Sequence, residues 1–339
     1  MVMDMQKLET LPPPPGVFGS LKAGFDAVSN RVVLILLPLG LDLFLWFGPR
    51  LSVNAVLSPY FKFVFEQMRQ SVTEADLEPI AQYQSMFMER LQDFNLLALL
   101  SKLQIFPIGV SSLSAQTLPV ENPFGISNVF MVSSIWILLA LVFVLVPLGW
   151  MGGGVYFRQV AGSILSEEEA GISFLWAIFQ TLLLCVIWLV CLAVVAFPLL
   201  LVVGLLSLAS PLLANIAFFL FLFLAFWLIV PLFFAPHGIF VRRQNAFYSI
   251  YSSLRLVRFS LPTSAMFVLS AFLLSRGLDL LWSAPKNDSW LALVGFAGHA
   301  FITTVLLAAS FIYYRDMTDW LKQVYERFRQ LGKRPSSTV

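Results

Sequence analysis

The chain has 339 residues, of which 59% are hydrophobic and only 12% charged, and its mean hydropathy is +0.84. A soluble domain carries about 25% charged residues, so this composition excludes one and identifies an integral membrane protein whose main solvent is lipid. The net charge of +2 is too small to point to a partner except through its distribution.

The first thirty residues hold the "PPPP" run at 12–15, which suits an extended leader, and no cleavable signal peptide is evident. Over residues 17–30, Phe18, Leu21, Phe25 and Val28 recur at helical spacing with Lys22 and Asp26 between them. That pattern predicts an amphipathic helix on the inner leaflet. A first span follows at 32–49, with Asp42 in its middle.

The segment 50–127 is the longest outside the predicted bilayer. Ile80, Tyr83, Phe87, Leu91, Phe94 and Leu97 form an apolar stripe, with Glu89, Arg90, Gln92 and Asp93 on other faces. Thr73 with Glu74 and Asp76 suits a helix start. Ser58-Pro59 opens a shorter piece holding Phe61, Val64, Phe65 and Met68. The stripes predict an outer helical cap packed on the bundle or on the outer leaflet, or one that covers a cavity for an amphiphile. The connector "FPIGVSSLSAQTLPVENPFG" has turn chemistry and no metal ligands.

Further spans are predicted at 128–150, 172–200, 212–235, 262–282 and 290–314. Gly152–Gly154 lacks the Lys-Ser/Thr of a phosphate loop, and suits close packing or a hinge. Ser166 and Glu169 in "SEEE" fit a capping box. The third span is overlong, with Pro198 placed to kink or end it, and "LLSLASPLLAN" reads as a tight turn at the interface. Cys185 and Cys191 lie in that span, six residues apart and on different faces, as small apolar side chains. The inner loop 236–261 is cationic and has no acid; its predicted interfacial helix presents Ala246, Ile250, Leu254 and Val257 as one apolar face. Arg242, Arg243, Arg255 and Arg258 in this loop are predicted to contact anionic lipid headgroups. In the tail, 315–339, Trp320, Leu321, Val324, Phe328 and Leu331 form a stripe that should continue span six as an inner-surface helix.

The expected fold is therefore all-α: an integral membrane bundle of six transmembrane helices, with an outer amphipathic helical cap and inner-surface amphipathic helices. With the N-terminus inside, fourteen Lys and Arg fall on cytoplasmic segments and six outside. This bias predicts cytoplasmic N- and C-termini in a plasma (inner) membrane.

The stretch "FWLIVPLFFAPHGIFVRRQNAFYSIYSSLRLVRFSLP" and the closing "GFAGHAFITTVLLAASFIYYRD" resemble segments of a bacterial multi-pass family. That family comprises the membrane domain attached to some glycerophosphoryl diester phosphodiesterases and its stand-alone, functionally undefined relatives. The resemblance covers about residues 130–320 and rests on Pro231, Pro236, Ala246, Ile250 and Ser253–Arg258. It implies a six-span helical fold in a bacterial plasma membrane. The phosphodiesterase domain itself has no counterpart here, and the segment 51–127 has none in the family.

Asp42, Arg276, Asp279 and His299 are ionisable residues inside predicted spans, and Gln180 is polar there too. At about 1.5 Å per residue, Asp42, Arg276 and His299 share the outer-to-middle zone of the bilayer. Arg276 and Asp279 are i,i+3 neighbours able to pair locally. The expectation is that Asp42 meets Arg276 or His299 across helices as a structural pair; an ion or proton site, or an Asp42 that stays protonated, are the other readings. No Ser-His-Asp signature, nucleotide loop or HExxH is present, and the two distant histidines, with His237 at headgroup level, suit no zinc site. Cofactors and nucleic acid are not expected. The functional expectation is a non-enzymatic accessory or scaffold subunit with a membrane-protein partner or a second copy of itself; the runner-up is a transporter or channel for a small or amphiphilic solute.

Overall fold

The computed structural model of the protein describes residues 13–70, 72, 74–103, 107–165 and 172–332. The expected Thr73 helix start, the Ser166–Glu169 capping box and the last residues of the tail lie outside them. The described chain is helical apart from short strands. In order it forms α1 (Val17–Ser29), a 3-10 turn (Val32–Ile35), α2 (Leu36–Phe47), β1 (Arg50–Ser52), α3 (Asn54–Gln70) and α4 (Glu74–Asp93). A second 3-10 turn (Leu96–Leu100), α5 (Ser114–Thr117), β2 (Glu121–Asn122), β3 (Gly125–Ile126) and β4 (Val129–Met131) follow. The remainder is α6 (Ile135–Ile164), α7 (Phe174–Ala209), α8 (Pro211–Phe234), α9 (His237–Arg242), α10 (Ala246–Trp282) and α11 (Ala292–Gly332).

Among the described residues four helices are long and apolar enough to cross a membrane: α6, α7, α10 and α11. The count is five if the bent pair Val17–Ser29 and Val32–Phe47 makes one span. The chain divides into two compact units. One comprises Val33–Tyr156 and Arg276–Thr303; the other comprises Met1–Val32, Phe157–Ser275 and Thr304–Val339.

In the first unit, β1 and β4 pair in parallel, Arg50 opposite Val129, so the excursion between them begins and ends at one place. The predicted cap is a pair of helices, with Phe61 and Phe65 of α3 against Phe87 of α4 at 4.5 and 5.8 Å. α3 starts earlier than expected and carries Pro59 in its interior. The stripe is buried only towards its end, at Leu91 and Leu97, where it meets Leu45, Val53, Leu138 and Leu145. Tyr83 and Met86 remain exposed. Asn95 fixes the end of the cap: its Oδ1 accepts from the backbone N–H of Leu51 and of Leu97, while Arg50 Nη2 donates to the Asp93 carbonyl at 2.6 Å. Burial pulls the Arg50 guanidinium below its ordinary value, and the Asp93 charge partly restores it.

α6 begins later than the predicted span and runs through Gly152–Gly154. A Cβ at Gly149 would sit 2.6 Å from the Leu99 carbonyl, and one at Gly153 2.6 Å from the Gly109 Cα. The glycines therefore serve the close approach of the connector and the 3-10 turn to the helix.

In the second unit, α7 is 36 residues long and passes through Pro198 without ending. The expected interfacial turn is a single residue. Ser210 is extended (φ −164°, ψ 124°), and Pro211 occupies the first turn of α8. A proline disfavours helical backbone in the residue before it and fits the first turn of the helix it opens. α8 breaks at Pro236 for the matching reason. Pro236 has no N–H, so the Leu232 carbonyl takes the Ala235 N–H instead. This leaves two carbonyls to other donors: Ser253 Oγ donates to the Pro231 carbonyl and Ser249 Oγ to the Ala235 carbonyl.

Those serines correct the predicted apolar face. The buried side of α10 is Ala246, Ser249, Ser253, Leu256, Val257 and Ser260, whereas Leu254 is exposed. Nor is this segment a separate interfacial helix. It continues into the fifth predicted span through a kink at Ser260 (φ −127°, ψ 22°), two residues before Pro262. α11 likewise runs unbroken from the sixth span into the tail.

Candidate functional site

Asp42, Arg276, Asp279 and His299 all lie in the unit formed by Val33–Tyr156 and Arg276–Thr303. What joins them is the connector. Asp42 is fully buried on α2, and its Oδ1 accepts from Ser112 Oγ at 2.6 Å and from the Ser114 backbone N–H at 2.9 Å. Ser114 Oγ donates to the Asp42 backbone carbonyl at 3.1 Å. The direct contact of Asp42 with Arg276 or His299 expected from depth is thus replaced by two serines. Oδ2 has no hydrogen-bond partner among the described residues.

Arg276 and His299 hold the same connector, and Asp279 backs His299. Arg276 Nη1 donates to Gln116 Oε1 at 3.2 Å. His299, 1% exposed, stands between Asp279 Oδ1 at 2.7 Å from Nδ1 and Ser111 Oγ at 3.0 Å from Nε2. The Asp279 carboxylate can only accept, so Nδ1 carries the proton and Nε2 presents its lone pair to the Ser111 hydroxyl.

Glycines bring the two helices together. A Cβ at Gly298 would meet the Trp282 ring at 2.6 Å, and one at Gly295 would meet the Trp282 carbonyl still closer. With Gly295 and Gly298 facing it, the end of α10 lies against α11, and Asp279 reaches His299. Trp46, also fully buried, fastens α2 to the intervening loop by donating from Nε1 to the Asn287 carbonyl at 2.8 Å. Its ring meets Phe296 edge-on at 5.1 Å.

Sequence reading found the four ionisable residues, because charge in an apolar run is conspicuous. It missed Ser111, Ser112, Ser114 and Gln116. Their signal was the "SSLSAQ" cluster of donors and acceptors inside an otherwise apolar connector.

The four arginines predicted to face headgroups divide. Arg242 Nη2 is committed to the chain itself, donating to the Arg315 carbonyl, Thr318 Oγ1 and Asp319 Oδ1. Arg255 lies over the Tyr325 ring, 5.1 Å from its centroid. Arg243, Arg255 and Arg258 are exposed. Gln180 and His237 are buried: Gln180 Oε1 accepts from the Ala246 N–H at 2.8 Å, and His237 Nε2 lies 2.8 Å from Ser310 Oγ. His237 is therefore part of the core rather than a headgroup-level side chain. No group of three or more His, Cys, Asp or Glu among the described residues could hold a metal ion.

No family model, no curated protein and no solved structure matches the chain.

Proposed function

We propose that the protein is an accessory or scaffold subunit of a membrane assembly, built into a plasma membrane by six spans with both termini cytoplasmic. One observation carries this reading: the helix Phe174–Ala209 is too long and too apolar for the bilayer to cover alone. At 36 residues it is about 54 Å long, against a hydrocarbon core of about 30 Å. A straight helix would need a tilt of about 56° to fit, beyond the usual range of about 0–40°. Its most apolar window is not buried in the chain at all, and Phe197, Leu200 and Leu205 are exposed well past the middle of the helix. A partner in the same membrane would cover the length of this surface that the bilayer leaves over. α8, 24 residues and equally apolar, packs beside it as the second arm of a hairpin, and in this reading it is counted as a sixth span beyond the four long helices and the bent pair. Arg243, Arg255 and Arg258 complete the reading as contacts to anionic headgroups on the cytoplasmic side.

Gentle purification followed by native mass spectrometry tests it. The expected result is a second protein, or a second copy of this one, at fixed stoichiometry. A lone chain carrying only lipid contradicts it. Transport of a small or amphiphilic solute is favoured by a different observation, the buried and unpartnered Oδ2 of Asp42.

A further inference from the structure

The hydrogen bonds around His299 have a chemical consequence that does not depend on a partner in the membrane. Its Nδ1 is 2.7 Å from Asp279 Oδ1, and its Nε2 is 3.0 Å from Ser111 Oγ. An imidazole held in this tautomer by a carboxylate, with its lone pair on a serine hydroxyl, is the arrangement that makes serine a nucleophile. We propose that Ser111, His299 and Asp279 form a nucleophilic relay that attacks carboxylic esters of membrane amphiphiles.

Three further features fit. Ser111 is partly exposed while His299 is buried, so the nucleophile reaches the substrate and its base stays dry. The backbone N–H groups of Ser112 and Leu113, immediately after Ser111, have no acceptor among the described residues, which leaves them free for a developing oxyanion. Asp42 acts as a positioning residue: by gripping Ser112 Oγ and the Ser114 N–H it fixes the connector that carries Ser111. The amphiphile class follows from the surroundings. Leu280 and Leu281, next in sequence after Asp279, and Leu291 and Val294, ahead of His299 in the chain, are each more than half exposed, so the surface of the unit around these helix ends suits acyl chains rather than water.

The reaction balances without a co-reactant other than water. The Ser111 Oγ–H proton passes to His299 Nε2 as Oγ bonds to the ester carbonyl carbon. The carbon–oxygen bond to the alcohol breaks, and the departing oxygen takes that proton. Water then adds to the acyl-serine, giving its proton to His299. The acid leaves and the proton returns to Ser111 Oγ. Asp279 remains a carboxylate throughout and stabilises the imidazolium.

The test is labelling of the full-length, detergent-purified chain with a long-alkyl fluorophosphonate, which serine attacks with loss of fluoride. The expected result is one adduct, mapped by peptide mass spectrometry to Ser111, and none in Ser111→Ala. Asp279→Asn should slow labelling by about 10²-fold or more while the chain keeps its unfolding midpoint, and Asp279→Glu should recover part of the rate, a split that a purely structural aspartate would not give. A folded wild-type chain that takes no adduct, or an adduct on another serine, overturns the proposal even if a variant fails to fold. Para-nitrophenyl decanoate should be cleaved faster than the acetate; equal rates overturn the amphiphile class.

Discussion

Replacing Asp42 by alanine or by asparagine separates two things the carboxyl group does. Asp42→Ala leaves the Ser112 hydroxyl and the Ser114 N–H without an acceptor in a region the solvent does not reach. Each unpaired buried donor costs about 1–3 kcal/mol, so the pair costs about 2–6 kcal/mol before any relaxation. Asp42→Asn keeps the acceptor at the Oδ1 position and places an amide nitrogen where Oδ2 now has no partner. The charge assistance of two hydrogen bonds is lost and an amide N–H pair is buried without an acceptor, partly offset by removing a charge from an apolar site, for a net cost of about 1–3 kcal/mol. Thermal unfolding in mild detergent, followed by tryptophan fluorescence, ranks the three proteins. Limited proteolysis of the connector shows whether the loss is local. The expected order is wild type, then asparagine with its connector still protected, then alanine lowest with a connector that is cut early. An alanine variant as stable as wild type, or an asparagine variant whose connector is cut as early as alanine's, would refute the assignment of Oδ1 as the anchor.

Other substitutions follow from the same geometry. Gly153→Val should destabilise severely, because its Cβ would stand 2.6 Å from the Gly109 backbone, whereas Gly152→Ala, with only the Val110 side chain at 4.0 Å, should leave the unfolding midpoint almost unchanged. The double change Ser249→Ala and Ser253→Ala should cost about 2–4 kcal/mol in the same unfolding assay, by orphaning the Ala235 and Pro231 carbonyls that the proline break exposes. Arg242→Ala should release the tail helix, read as faster hydrogen exchange over 315–322, since three bonds to the tail depend on Arg242. Arg258→Ala should leave that exchange unchanged and instead weaken binding of anionic lipid, measured on nanodiscs with and without phosphatidylglycerol.

What could be read from the sequence was whatever hydrocarbon penalises. Asp42, Arg276, Asp279 and His299 stood out because ions in an apolar run are costly, and a turn is legible in "LLSLASPLLAN", although the proline expected to kink or end the span is Pro198 and the break falls at Pro211. Partners were harder. Depth along a helix places Asp42 level with His299, but it cannot show that a connector about seventy residues further on folds back between them and offers serines to both. A hydroxyl costs little anywhere, so Ser111 and Ser112 gave no signal of their own. The buried face of α10 was misread for a related reason. Apolarity pointed to Ile250 and Leu254, yet in lipid the apolar face is the outer one, and the protein-facing side is the serine stripe that the exposed carbonyls of α8 require. The continuity of α10 and α11 beyond the predicted spans was masked by a change from apolar to amphipathic pattern within one helix.

The claim that an over-long apolar hairpin marks this protein as part of a larger assembly is tested most directly by photo-crosslinking in native membranes. Benzoylphenylalanine would be placed at Phe197 and at Phe219, both exposed on the hairpin. The account predicts a discrete protein adduct of constant mass from both positions, and none from a control position at Ser310, which is buried in the chain. Adducts to lipid alone at both hairpin positions would contradict it.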